Sequence, residues 1–295
     1  MILLNDFIKA VEEKELNVEG IVILQNGERI AEHRWIPEKA RLIHSCSKSF
    51  TSAAAGLAIS EGLFTLEDSV VELLDLPQYA EEWADLKVKH LLTMSSGHAE
   101  GTLLFEERDS IGDWMEGFFR KKRKYPAGKV FVYNNGCTYL ISAIIQKCSG
   151  EKLVDYLTER LFAPMGWEKP FWAECPAGRT IGLSGLLLTT SQMAEYGQLL
   201  LNGGEKDGLQ LIPREWIKTA TEKHILTYSP NEPDWSSGYG YFFWQCANGF
   251  WRADGMLGQF IIVIERQSAV IAINSEERRM QEILNCVWEY ILPQL

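Results

Sequence analysis

Strand-like sequence in this chain is confined to its two ends. Near the start, residues 20–24 (GIVIL) form a short apolar run rich in β-branched side chains. Asn26-Gly27 follows, and residues 29–35 continue beyond it. Asn-Gly between two such runs is a strong hairpin signal. Strand spelling returns only at residues 239–245, 259–265 and 269–274. Between the two ends, residues from about 64 to 175 read mostly as helices interrupted by loops. The economical architecture is an α/β fold of the α+β type. One antiparallel sheet is assembled from both chain ends and flanked by helices, with a mainly helical lobe inserted in the middle. The expected division is 1–62 with 176–295 as the sheet lobe and 63–175 as the helical lobe, in one compact unit. A chain of 295 residues can bury enough core to need no disulfide or structural metal.

Three helices outside that middle region are legible. Residues 45–59 are mostly small and apolar, which reads as a buried helix ending near Glu61-Gly62. Residues 190–201 form a second, with Ser191 as candidate N-cap and Gly203-Gly204 after its end. Residues 276–290 form a third, with Met280, Ile283, Leu284, Val287 and Trp288 on one face. The net charge of −11 argues against nucleic acid and anionic membranes as partners. The start (MILLND) lacks the basic region, long apolar run and cleavage site of a signal peptide. No stretch approaches a membrane span. The expected location is therefore cytoplasmic, although a trimmed mature form would read the same way. Six scattered cysteines with no CxxC pair read as small buried residues. The five histidines are dispersed and pair with no Cys or Glu at ligand spacing, so no metal site is expected. The basic run RKKRK at residues 120–124 reads as a solvated helix face, with anion binding as the rival.

The chemistry-bearing candidates begin at Ser45-Cys46-Ser47-Lys48, at the head of the first helix. A serine and a lysine three apart share a helical face. A serine hydroxyl needs a proton acceptor to become a nucleophile, and a desolvated lysine can be one. A helix N-terminus supplies N–H groups suited to an oxyanion. The spelling alone is weak: about one Ser-x-x-Lys is expected by chance in such a chain, and Ser149 to Lys152 is a second. An N-cap serine with a surface lysine would spell the same. Ser45 differs in opening a helix apolar enough to be buried. Tyr133-Asn134-Asn135 offers a phenol that can serve as phenolate base or proton relay, and an amide for substrate or lysine contact. A loop aromatic before turn residues is its bland counterpart. Ala253-Asp254-Gly255 precedes an apolar strand, where a glycine lets a substrate carbonyl approach the backbone. A hairpin turn at Asp-Gly is the alternative.

Taken in order, these segments resemble the serine β-lactamase and penicillin-binding-protein superfamily, particularly class C-like β-lactamases and related esterases and amide hydrolases. The resemblance spans nearly the whole chain. It includes His44-Ser45-Cys46-Ser47-Lys48-Ser49-Phe50, Leu91 to Gly97 (LLTMSSG), Pro126-Ala127-Gly128 through Tyr133-Asn134-Asn135, and residues 185–204. It implies Ser45 as acylated nucleophile, with Lys48 and Tyr133 sharing its proton and Asn135 contacting substrate. The oxyanion hole would use the N–H of Ser45 and that of Met256, beside Gly255. One departure matters. The family's third motif is Lys or His, then Thr or Ser, then Gly, whereas Ala253-Asp254-Gly255 stands here. The cation that would meet a substrate carboxylate is absent, and Asp254 introduces an acid. The expected function is a serine hydrolase cleaving a small-molecule ester or amide through an acyl-enzyme on Ser45, as an esterase or a D-amino-acid or oligoamide hydrolase. No cofactor is required. A true β-lactamase or D,D-peptidase is the enzymatic alternative, and a retired binding or sensor module the non-enzymatic one.

Overall fold

The structure is a computed structural model that describes residues 3–295, apart from the side chain of Asp109. Met1 and Ile2 of the short apolar start lie outside the described residues. A six-stranded sheet forms the centre. It uses β1 (Val18–Gln25), β2 (Glu28–Arg34), β3 (Trp244–Gln245), β4 (Trp251–Gly255), β5 (Gln259–Ile264) and β6 (Ala269–Ser275). The order is β2-β1-β6-β5-β4-β3, and every neighbouring pair is antiparallel. The two chain ends meet where β1 pairs with β6, Ile21 opposite Ile273 and Ile23 opposite Ile271. The hairpin expected at Asn26-Gly27 joins β1 to β2, with both residues at positive φ.

The inner strands are apolar on both faces because both faces are covered. Ile21, Ile23, Phe260, Ile262, Ile271 and Ile273 pack with α1 (Asn5–Glu13) and the C-terminal helix α5 (Met280–Cys286). Val22, Leu24, Ile261, Val263, Val270 and Ala272 face a larger core. That core is shared with α2 (Ser47–Ser60), α3 (Asn135–Ser149) and α4 (Thr190–Leu201). No described helix is long and apolar enough to cross a membrane.

Several elements differ from the sequence reading. The strand expected over residues 239–245 shrinks to Trp244–Gln245. Tyr239, Tyr241, Phe242 and Phe243 are buried, yet their backbone turns: Gly240 N donates to Phe243 O, Tyr241 N donates to Ala220 O, and Phe242 has φ +70. The apolar run fills core from a loop. The cap of α4 is Thr189 and not Ser191. Thr189 Oγ1 accepts from Gln192 N at 3.1 Å, and Gln192 Oε1 accepts from Thr189 N at 2.9 Å, a reciprocal box. The terminal helix starts at Met280, because the Ser275 hydroxyl and the Glu277 carboxylate hold the Glu277 and Arg279 N–H groups at 3.0 and 2.8 Å. It ends in a wider turn, Val287–Ile291. Helix α1 was not anticipated; its apolar face is only Phe7, Ala10 and Val11. The run at residues 120–124 follows the helix Trp114–Phe119 rather than lying on it. Arg120, Lys121 and Arg123 pair with Glu116, Glu107 and Asp85.

Candidate active site

Ser45 sits on a break in regular backbone. Ile43 N donates to Leu186 O at 3.0 Å, His44 takes φ +46, and His44–Cys46 forms one tight turn before α2 begins. A histidine at positive φ is uncommon and marks local constraint. The Ser47 and Ser49 hydroxyls close the helix entry by donating to the His44 and Cys46 carbonyls, each at 2.7 Å. Small hydroxyl side chains fit because α2 is enclosed, with residues 47–56 all buried. The segment preceding Ser45 is tied to the one following Leu183 by the short pair Arg41–Leu42 with Leu187–Leu188.

One turn along, Lys48 is 1% exposed. Its Nζ lies 2.9 Å from Ser45 Oγ, 3.0 Å from Asn135 Oδ1 and 2.7 Å from the Leu183 carbonyl. Burial pushes its pKa down to about 7, and the Arg108 charge acts in the same direction; Asp254 opposes both. Near neutrality much of Lys48 is therefore a neutral amine, with two N–H groups and one lone pair. Leu183 O and Asn135 Oδ1 can only accept, so they take the two hydrogens. The lone pair is left for the Ser45 hydroxyl, which then donates to Lys48. This is the geometry of a general base on a nucleophile.

Tyr133 and Asn135 come from the other side of the site. Val132 N donates to Met94 O at 2.9 Å, and Gly128 N to Ser95 O at 2.7 Å, which laces residues 126–135 onto the 91–97 segment. Asn134 Oδ1 accepts from Gly136 N at 2.9 Å and from Thr102 N and Oγ1 at 3.0 and 2.7 Å, starting α3. Asn135 opens that helix, its Nδ2 reaching the Leu103 carbonyl at 3.4 Å. The Tyr133 ring stacks on Trp244 at 5.7 Å and lies 5.1 Å from Lys48 Nζ. Burial raises the Tyr133 hydroxyl well above its ordinary value; Asp254 adds to this, and the Ser45 hydroxyl beside it acts in the opposite sense. Even a phenol of pKa about 10 is ionised in only about one molecule in a thousand at pH 7. Tyr133 thus rests protonated and able to donate, whereas Lys48 is the member of the pair with a free lone pair near neutrality.

Strand β4 closes the third side. A Cβ on Gly255 would stand 2.4 Å from Ile43 O and 3.0 Å from Ser45 N, so glycine alone lets this strand press against the turn carrying Ser45. The Asp-Gly pair thus lies in a strand, and the turn falls just after it. Met256 follows on that turn, 56% exposed. The Asp254 carboxylate is turned inward. Its Oδ2 lies 2.9 Å from Arg252 Nη2, and Arg252 is fully buried. Burial raises the Asp254 pKa, and Arg252 works against that rise. Arg252 also donates to the Asp234 carbonyl at 2.8 Å and lies over the Trp235 ring at 4.6 Å.

The structure brings Ser45, Lys48, Tyr133, Asn135 and Gly255 around one point, with Asp254 buried just before Gly255 and Met256 exposed just after it. Sequence reading missed the Leu183 carbonyl, Trp244, Arg108 and Arg252. A backbone acceptor has no side-chain signature, although Gly182 and Gly185 flank it at positive φ. Arg252 had a signal, since residues two apart on a strand share a face. The second Ser-x-x-Lys is unrelated: Ser149 ends α3, and Lys152 pairs with Glu174 at 2.6 Å. The six cysteines are free thiols, five of them buried. Among the described residues, no group of three or more His, Cys, Asp or Glu is placed to hold a metal ion.

Two outcomes follow. Phosphonylation of Ser45 by a neutral fluorophosphonate should rise about tenfold per pH unit and level off above about 7, because only unprotonated Lys48 offers a lone pair. A midpoint near 10 would contradict this. Arg252→Met should cost about 3–5 kcal/mol in urea unfolding, since it strands a buried carboxylate. Adding Asp254→Leu should recover most of the loss; an unchanged midpoint in the single variant would show that the pair is not coupled.

A model of the Beta-lactamase protein family matches residues 12–282. A β-lactamase of Yersinia enterocolitica is 27% identical over 128 residues, which is 43% of this chain and 32% of that protein. The chain thus aligns with only about a third of that relative's length. Among solved structures, a protein assigned as a 6-aminohexanoate-dimer hydrolase from Bacillus anthracis superposes with TM-score 0.82 at 20% identity, covering 97% of this chain and 80% of that one. A protein assigned as a β-lactamase from Bacteroides dorei superposes with TM-score 0.82 at 14% identity, covering 99% and 100%. With the family match extending over most of the sequence and the fold shared along its length, the chain belongs to the Beta-lactamase family.

Proposed function

We propose that this chain is a serine hydrolase that opens a small-molecule ester or amide through an acyl-enzyme on Ser45. The observation that carries this reading is the Lys48 amine, buried and held by two acceptor-only oxygens so that its lone pair meets the Ser45 hydroxyl. Lys48 takes the Ser45 proton as Oγ adds to the substrate carbonyl. The developing oxyanion is held by the Ser45 and Met256 N–H groups, a reading supported by the close approach of Gly255 to Ser45 N. Tyr133 donates its proton to the leaving alcohol or amine and regains one from Lys48. Water then attacks the acyl carbonyl, with the same pair acting in reverse. Division into 1–62 with 176–295 and 63–175 puts Ser45, Lys48 and Gly255 on one lobe and Tyr133 and Asn135 on the other, so substrate enters along the junction.

Esterase or amidase activity fits better than efficient β-lactam hydrolysis. A β-lactam carries a carboxylate, and the strand that would meet it offers Asp254, bound to Arg252, in place of a free cation. The solved relative assigned to 6-aminohexanoate dimers supports an amide as one substrate class. Incubation with 4-nitrophenyl esters should give nitrophenol release and a Ser45 acyl adduct by mass spectrometry, both lost in Ser45→Ala. kcat/KM on esters should exceed that on benzylpenicillin by about 100-fold or more, the scale expected when a charged hydrogen bond is missing. Faster turnover of penicillin would reverse this assignment, and turnover surviving in Ser45→Ala would end it.

A further inference from the structure

A cluster of aromatic rings stands beside the nucleophile, and of these only Tyr133 takes part in the reaction above. The Tyr133 ring stacks on Trp244, with centroids 5.7 Å apart and planes at 21°. Tyr239 meets both rings edge-on, 4.8 Å from Trp244 and 6.4 Å from Tyr133. Phe131 packs against Tyr239 and Trp244 at 5.2 and 5.6 Å. Stacked and edge-on pairs at these separations are the favoured aromatic geometries.

Trp244 is the fixed member of the stacked pair. Its strand β3 is only Trp244–Gln245, yet the backbone around it is held. Gly240 N donates to Phe243 O at 2.8 Å and Gln245 N to Gly238 O at 3.0 Å, closing a turn in which Phe242 takes φ +70. Trp244 pairs with Arg252 of β4, is 8% exposed, and has the Arg252 guanidinium 6.0 Å from its ring. The Tyr133 side chain has less to hold it. Its hydroxyl has the Ser45 hydroxyl as hydrogen-bonding neighbour, which is the group it must serve. The torsion next to an aromatic ring is broad, so what packs on the ring decides where the hydroxyl points. The ring's neighbours are Trp244, Tyr239 and the Lys48 amine, and of the two aromatic ones Trp244 alone lies face to face with it.

We infer that Trp244 is a positioning residue for proton donation to the leaving group, its ring setting the Tyr133 phenol beside Ser45. When the tetrahedral adduct collapses, the bond from the carbonyl carbon to the leaving oxygen or nitrogen breaks, and its electron pair goes to that atom. The same atom takes the Tyr133 proton. The phenolate recovers a proton from Lys48, which carries the one lifted from Ser45. A strongly basic leaving group needs that proton to depart, whereas 4-nitrophenolate leaves without it. Loss of Trp244 therefore costs most where the leaving group is most basic. The inference rests on the acyl-enzyme reading with Tyr133 as donor and deepens it.

The test compares 4-nitrophenyl butyrate with ethyl butyrate, which share the acyl group and differ in the basicity of the alcohol released. Trp244→Leu should lower kcat/KM on the ethyl ester by about tenfold or more beyond any loss on the nitrophenyl ester, the scale of a misplaced proton-transferring group. Trp244→Phe, which keeps a ring, should retain part of the ethyl-ester activity. On a Tyr133→Phe background, Trp244→Leu should bring no further change in the ratio of the two rates, because the group it positions is gone. Thermal melting and Ser45 labelling by a neutral fluorophosphonate, whose fluoride departs as the anion, are followed in parallel, and labelling should stay close to the wild-type rate. Equal losses on the two esters, or an ethyl-ester rate unchanged in both Trp244 variants, overturns the inference. So does a larger loss on the nitrophenyl ester, which would mean that Trp244 binds the leaving group, and so does a wild type that cannot open the ethyl ester. A Tyr133→Phe variant that loses both esters equally would instead remove the donor reading beneath it, and a wild type with no acyl adduct on Ser45 would remove the acyl-enzyme.

Discussion

The desolvated amine of Lys48 is the constraint around which the rest of the site is arranged. A lysine 1% exposed has lost its hydration, and its charged form suffers most. The fold lets it remain by supplying two fixed oxygens, Leu183 O and Asn135 Oδ1, for the hydrogens that a neutral amine still carries. Those oxygens come from distant parts of the chain, one from a glycine-flanked turn and one from the start of α3. Neither is useful unless the sheet and the helical segment are docked. The arrangement also has a thermodynamic consequence. Its folded pKa, about 7, lies below the 10.5 of a free lysine, so between those values the unfolded chain binds the extra proton. This group's contribution to stability therefore rises with pH through that window and is least favourable below it.

At the third motif the backbone approach and the side chain beside it have separate roles. Gly255 allows the close approach that places β4 beside Ser45. The side chain before it has been turned into the interior and neutralised by Arg252. A buried ion pair of this kind adds little net stability and is costly to break. What it does is hold the Asp254 carboxylate inside the fold, paired with Arg252. The overall charge of −11 says nothing about the charge met inside the site, where a buried acid and a buried base are paired.

Much of this was readable from the residues, for identifiable reasons. Strand signals at both ends led to a sheet joining β1 to β6, because those strands are apolar on both faces and could not be solvent loops. The ordered motifs singled out Ser45, Lys48, Tyr133 and Asn135, which the fold brings together. Residues 239–243 misled because burial without a ladder spells the same as burial within one. Helix α1 escaped notice because its apolar face has only three buried side chains. Arg252 hid in a strand where a charge reads as solvent-facing. Leu183 acts through its backbone, which no side chain announces. The phenol of Tyr133 looked equally able to serve as base or relay until its burial was known.

The most direct test is the titration of Lys48 itself. Protein carrying lysine labelled with 13C at Cε can be followed by NMR from pH 5 to 11, with Lys48→Met identifying its resonance. A midpoint near 7, set apart from the other lysines, is the result that follows from the buried, doubly hydrogen-bonded amine. A midpoint near 10.5, alongside the surface lysines, would mean that Lys48 is charged at neutral pH and cannot be the base that activates Ser45.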